Sequence, residues 1–398
     1  MSKSDTTQTA TSNRVANPTS SSKFSYSSTI FLASIAIVLL QQLITPFFTA
    51  DTPTTIPHGM STTTTVRAVS RQVAKKVRSI ETAEGAGAVV RRSIGTPALR
   101  NISPFLMLDH FRISEGAGFP DHPHRGQTTL TTFLEGHGLH EDFAGHTGTL
   151  GPGDVQWMNA GRGIMHAEMP VHRDAAGNKL PDPVGLQLWI DLPKEAKTEP
   201  PSYQEYRAAQ IPTALPSPDK EADEHGWKIK VVAGESHGVR SPIKLPKNGG
   251  VLYLDIQLEP EGSVYQTIDP RYNAFIYTLE GSIVVGDHPT TSAASSDEKA
   301  FNPSTAVVPG EAVPPYHTLV LTKAAEEPGV WIRNASGESG ARFVLVAGEP
   351  LDQEVYQYGP FVMTNRQEIQ QTLVDFQTGS NGFERAPGWK STIGASMR

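Results

Sequence analysis

Asp121-His122-Pro123-His124-Arg125-Gly126 and, 42 residues after His124, His166-Ala167-Glu168 are the stretches whose reading decides this chain. Each carries two metal-binding side chains separated by one residue. On a β-strand, residues i and i+2 point to the same face. Two such strands laid side by side therefore aim His122, His124, His166 and Glu168 into one space. Neutral imidazoles with a carboxylate suit a redox-capable first-row metal such as iron, and no thiolate is needed. The carboxylate removes one unit of the cation's charge and makes a buried site less costly to desolvate. Either pair alone would read as surface decoration. Both together, flanked by strand-like and Gly-rich text, point to a metal. Between the clusters lie His137, His140 and His146, which nothing pairs at spacing two; they read as loop or rim histidines.

The surrounding text is β-rich. Gln127–Leu134, Gly185–Leu192, Val251–Ile256, Ala274–Leu279, Ser282–Val285 and Arg342–Val346 are short apolar or β-branched runs with Gly or Pro between them. That pattern predicts jelly-roll-type barrels. Leu134-Glu135-Gly136 recurs as Leu279-Glu280-Gly281, and Pro152-Gly153-Asp154 as Pro309-Gly310-Glu311, which implies two copies of one unit. The second copy places Thr267 and Asp269 opposite His122 and His124, and Lys323 and Ala325 opposite His166 and Glu168. It is therefore expected to hold no metal. Asp287 to Ala300 reads as a surface insertion. One helix is legible near the end: Asn365 and Glu368 form a capping-box-like start, Ile369, Leu373 and Phe376 line a face, and Gly379 offers a stop.

Composition sets bounds. With 398 residues, two domains plus an extension is the natural expectation. The 34 basic and 41 acidic residues give a net charge of −7, which argues against unaided binding to nucleic-acid phosphates. Cysteine is absent, so disulfides, zinc–thiolate sites and cysteine nucleophiles are excluded. Residues 1–74 differ from the rest. From Phe24 to Ala50 there is no charge, and 29–49 is long and apolar enough to read as a transmembrane helix, with Gln41, Gln42 and Pro46 against it. A cleaved address is the competing reading. Arg67, Arg71, Lys75, Lys76 and Arg78 follow and blur any charge asymmetry, and Met60 offers an alternative start.

Ser103-Pro104-Phe105, Phe119 through Gly126, Phe143-Ala144-Gly145-His146-Thr147-Gly148, Gly153 through Met158, Ala160 through Pro170 and Gly359-Pro360-Phe361-Val362-Met363 resemble the pirin family. The likeness runs from about Lys75 to Gly394. It implies a mainly β bicupin: two packed jelly-roll β-barrels with a C-terminal helix behind an N-terminal hydrophobic or targeting extension. The expected ranges are 1–74 for the extension, 75–205 for the metal-binding cupin and 206–398 for the metal-free one. The resemblance implies Fe(2+) on His122, His124, His166 and Glu168, with manganese, nickel and copper as alternatives.

Two functions follow from it. One is a flavonol (quercetin) 2,3-dioxygenase-type oxidoreductase acting on a small aromatic hydroxy-ketone, with Glu168 also accepting the substrate's proton. The other is a non-catalytic nuclear co-regulator acting through a transcription-factor partner, without direct contact to nucleic acid. A metal that only holds the barrel together is the third reading. The family implies nucleus or cytoplasm, whereas the N-terminal segment suggests a membrane or organelle. A monomer is expected.

Overall fold

The computed structural model describes residues 69–217, 224–246, 250–286 and 310–397. Strands Phe105–Arg112, Gln127–Glu135 and Val184–Asp191 form the middle of a seven-stranded antiparallel sheet, flanked by Ala88–Ile94 and Ile80–Glu84 on one side and by Val155–Asn159 and Ser202–Tyr206 on the other. A four-stranded sheet of Phe119–His124, Ile164–Val171, His137–Asp142 and Thr147–Leu150 accompanies it, and the two make the first barrel. A nine-stranded sheet centred on Val251–Thr267, Asn273–Glu280 and Ala341–Gly348 makes the second. The architecture is the expected two-barrel cupin fold.

The central strands are largely buried on both faces. Leu108, Leu130, Leu186, Leu188 and Ile190 from the first barrel meet Tyr253, Phe275, Tyr277, Val344 and Val346 from the second in one shared core. The alternate residues of the first set, such as Phe111 and Phe133, face the interior of their own barrel. Those of the second, including Leu254, Ile276, Phe343 and Leu345, fill theirs with hydrocarbon. Period-two alternation thus divides each strand between an interface and an interior.

The repeated turns are structural equivalents. Gly136 and Gly281 follow corresponding strands with φ of 64° and 65°, and Gly153 and Gly310 have φ of 82° and 76°. Those backbone conformations are ones that L side chains rarely adopt, which is why the repeat retains glycine.

Both ends of the described region cross the expected cupin ranges. Val73–Arg78 pairs with His317–Leu321 in the second sheet, and buried Arg71 donates to the carbonyls of Asp269, Tyr272 and Glu327 there. Conversely, the hairpin Tyr356–Met363, the helix Arg366–Thr378 and the final turn return to the first barrel. Arg125 and Phe361 form a bridge, and the last turn Ile393–Met397 packs on strands Phe119–His124 and Ile164–Val171.

The helix has the expected bounds. Asn365 caps it through Glu368 N, and Gly379 ends it at φ 65°. Glu368 reaches back to Thr364 rather than to Asn365, so the box is shifted by one residue.

The expectation of a transmembrane helix is corrected. Among the described residues no helix is long and apolar enough to cross a membrane. The 13-residue helix rises about 20 Å against a hydrocarbon core of about 30 Å. Segment 29–49 itself, like the insertion 287–300, lies outside the described residues.

His110 sits at the junction of the barrels, its Nδ1 3.3 Å from the Tyr277 hydroxyl. Burial, and then the positive charges of Arg91 and Arg112, push its pKa down from 6.5 to about 4. Above pH 6.5 it is neutral folded or unfolded. As pH falls below 6.5 the unfolded chain takes up the proton and the folded one does not, so stability is lost down to pH 4. The loss is roughly 3 kcal/mol. Urea unfolding at pH 7 and pH 4.5 should show His110→Gln losing less stability on acidification than the unaltered chain. Equal losses would refute the assignment.

Candidate metal centre

Strands Phe119–His124 and Ile164–Val171 pair antiparallel with His122 directly opposite His166 and His124 opposite Ile164. Directly opposed residues share a face, and so does the residue two further on. The three imidazoles therefore converge. Ring centroids lie 4.3 Å apart for His122 and His166, and 4.9 Å apart for each of the other two pairs. One ring nitrogen from each falls within 4.8 Å of the others.

Glu168 follows a register shift in the same strand. Its carboxylate stands 4.0 Å from His166 Nε2 and accepts from the Gln187 amide at 3.2 and 3.3 Å. Three of the four expected ligands are thus gathered, and the fourth borders them.

The chemistry of the triad fits a cation. His124 Nε2 and both ring nitrogens of His166 are buried without a hydrogen-bond partner. Burial first, and then the neighbouring imidazoles, holds His124 and His166 well below the usual histidine range. Both are therefore neutral at physiological pH, with lone pairs available. Unpartnered polar atoms are costly in a protein interior, and a metal ion removes that cost. His122 Nδ1 is tied to the Pro120 carbonyl at 2.9 Å, which leaves its Nε2 for the centre.

A chain of contacts orients the carboxylate. Trp189 Nε1 donates to Gln187 Oε1 at 3.1 Å, and the same amide donates to Glu168. Trp189 also packs edge-on against His124, with centroids 5.1 Å apart. Gln187, on strand Val184–Asp191, thus stands at the site. Trp157 instead lies in the core shared by the barrels.

The residues flanking the His-x-His pair turn outward and are held by the chain's end. Arg125 donates to the carbonyls of Arg162 and Asn381, each at 2.6 Å, and to Asp375 at 2.8 Å, and it lies over the Phe383 ring. Asp121 accepts from the Ser391 amide at 3.2 Å and from its hydroxyl. Buried Lys197 joins Asp191 to the carbonyls of Gly126 and Val362. Gly126 has φ 83°, and a Cβ there would collide with the Val362 carbonyl.

The centre opens on a cavity of about 1070 Å³. His122, His124, Glu168, Gln187 and Trp189 line one part, and Phe111, Phe119, Phe133 and Met169 line another. His140 lines it as well, contrary to the loop reading. It sits in strand His137–Asp142 directly opposite Glu168, is buried, and has Nε2 2.6 Å from Glu205 Oε1. Gly138, His140 and Asp142 are the buried residues of that strand, an alternation that the neighbouring glycines leave illegible in the sequence. His137 opens the same strand, and His146 lies in a loop, as expected, bonded to Asp142 at 2.7 Å.

Comparison with known proteins finds related chains and a related fold. Residues 87–190 match the family model described as Pirin, and residues 253–382 match the Pirin C-terminal cupin domain. The chain is 43% identical over 326 residues to human "Pirin", covering 82% of this chain and 99% of that protein. It is 42% identical over 335 residues to "Pirin-like protein 2" of Arabidopsis thaliana, covering 84% and 92%. A crystal structure of quercetin 2,3-dioxygenase from Acinetobacter baumannii superimposes with a TM-score of 0.63 at 26% identity, covering 79% of this chain and 99% of that one.

Replacing Arg125 by Met leaves the Asp375 carboxylate buried without its cation. Loss of one partner of a buried pair costs about 3–5 kcal/mol. Urea unfolding should report a loss of that size; a change below about 1 kcal/mol, the scale of an exposed pair, would show that the contact is not structural.

Proposed function

We propose, for a chain that belongs to the pirin family, a flavonol 2,3-dioxygenase-type oxidoreductase. Iron(II) is held by His122, His124, His166 and Glu168 in the cupin spanning 75–205, and the cupin spanning 206–398 is metal-free. One observation carries the reading: neutral, buried imidazoles with unpartnered nitrogens open onto a cavity large enough for a multi-ring ligand. The name of the Acinetobacter protein supports the choice of flavonol among aromatic hydroxy-ketones.

When bound, the metal supplies Lewis-acid polarisation and one-electron chemistry toward oxygen. The remaining work belongs to the protein. Phe119, Phe133 and Met169 give the cavity apolar walls that exclude water and accept flat rings. Glu168 is the carboxylate placed to take the hydroxyl proton of the substrate at its Oε atoms. Gln187, itself fixed by Trp189, holds that carboxylate in position. His140 with Glu205 supplies a second polar pair on the strand facing Glu168.

The full-length chain, loaded anaerobically with Fe(II), should retain about one metal per chain and consume O2 when given quercetin. The His122→Ala/His124→Ala double variant should do neither. Gln187→Ala should lose roughly 10–100-fold in metal affinity or rate, the usual effect of removing such a support. Metal retention with no oxygen uptake above the double variant would abandon the enzyme in favour of the co-regulator. Absence of metal would abandon both.

A further inference from the structure

Residues directly opposite one another across a sheet form rows on one face. One such row in the large sheet of the first barrel is polar from end to end. It runs Arg92, Asp109, Gln187, Thr131 across four adjacent strands, and all four residues line the cavity. The rows on either side differ. Val90, Phe111, Gly185 and Phe133 form one, with Phe111 and Phe133 packed edge to face at 5.6 Å across the glycine. Met107, Trp189 and Thr129 form the other. A polar track thus crosses a largely apolar floor.

Its two ends have different partners. Gln187 touches Glu168 at the metal centre. Arg92 lies two strands away, about 10 Å at the usual strand spacing. There Nε and Nη2 of Arg92 grip both oxygens of Asp109, at 2.8 and 2.6 Å, and Nη2 also reaches Glu84 at 2.6 Å. Among the described residues the Nη1 group donates to neither carboxylate, so two N–H donors are left beside a carboxylate with lone pairs to spare. Asp109 is only 4% exposed. Burying such a pair in an apolar wall is costly, and hydrocarbon of the same volume is often as stable. The position is therefore better explained by recognition than by stability.

We propose that Arg92 and Asp109 are a specificity-determining pair that binds a hydroxyl at the far end of a flat aromatic ligand whose near end is held at His122 and Glu168. A hydroxyl donates and accepts at once, matching a carboxylate beside a free guanidinium edge. A carboxylate tail would face Asp109 and Glu84, and an ammonium tail would face Arg92. The ligand class is a rigid polyphenol with oxygen groups about 10 Å apart, two strand spacings. This rests on the reading of the cavity as a substrate site.

The test is anaerobic binding to the full-length, Fe(II)-loaded chain, followed by fluorescence quenching, with two probes. Quercetin carries hydroxyls at both ends, whereas 3-hydroxyflavone carries only the hydroxy-ketone. The Arg92→Met/Asp109→Leu variant removes both charges together and so leaves neither of the pair buried alone. Arg92→Lys keeps the charge without the fork, and it serves if the double variant fails to fold. The double variant should lose tenfold to hundredfold in affinity for quercetin, the scale of a hydrogen bond to a charged group. Its affinity for 3-hydroxyflavone should change less than threefold. Arg92→Lys should show the same selective loss, at least fivefold. Equal losses for both probes, or none, would overturn the assignment. Failure of the unaltered chain to bind either probe would instead overturn the substrate reading of the cavity.

Discussion

Everything at the centre depends on the register between strands Phe119–His124 and Ile164–Val171. Because side chains alternate with a period of two, a slip of one residue would turn His122 and His124 outward and bring Asp121, Pro123 and Arg125 in. The structure guards this register with the outward-facing residues themselves. Asp121 is bonded to Ser391, and Arg125 to Asp375 and Asn381. The same alternation that aims two imidazoles inward thus presents a carboxylate and a guanidinium to the chain's end. The clamp comes from residues some 250 positions away, so the histidine-bearing strand pair and the last forty residues form one structural unit.

That dependence explains the exchange of ends between the barrels. Neither barrel is complete with its own stretch of chain. The second takes its edge strand from Val73–Arg78, and the first takes its outer support from Tyr356 onward. An edge strand is a row of unpaired backbone groups, and Val73–Arg78 pairs with one such row on His317–Leu321. Together with the shared core of Leu188, Tyr253, Phe275 and Val346, this links the barrels through backbone as well as hydrocarbon.

Much of this was legible in the sequence, for identifiable reasons. The His-x-His and His-x-Glu spacings express a strand geometry that tolerates little variation. The Leu-Glu-Gly repeat marked turns whose glycines share a φ near 65°. Asn365, Glu368 and Gly379 are local signals of a local structure. What escaped notice was nonlocal. Nothing in Arg125 itself names Asp375, and nothing in Val73–Arg78 says that it pairs in the distant sheet. Trp157 and Gln187 both lie on strands of the large sheet near the motifs, yet on opposite faces. Trp157 is opposite Leu130, which is itself opposite Leu188, so it belongs to an apolar row facing the second barrel. Gln187 belongs to the row facing the cavity.

The two faces of the large sheet therefore carry different information. On the face toward the second barrel, the row of Leu108, Leu188, Leu130 and Trp157 is hydrocarbon throughout, as packing alone requires. On the inner face, the neighbouring row of Asp109, Gln187, Thr131 and Gln156 is polar, though packing would favour hydrocarbon there too. A polar row inside a barrel is kept against its desolvation cost, and only part of that cost is offset by internal bonds: Gln156 Oε1 is buried without a partner. The second barrel, built on the same repeat, fills its interior with Leu254, Ile276, Phe343 and Leu345 instead. The contrast between the two interiors sets a barrel with a polar inner row beside a cavity apart from one filled with hydrocarbon.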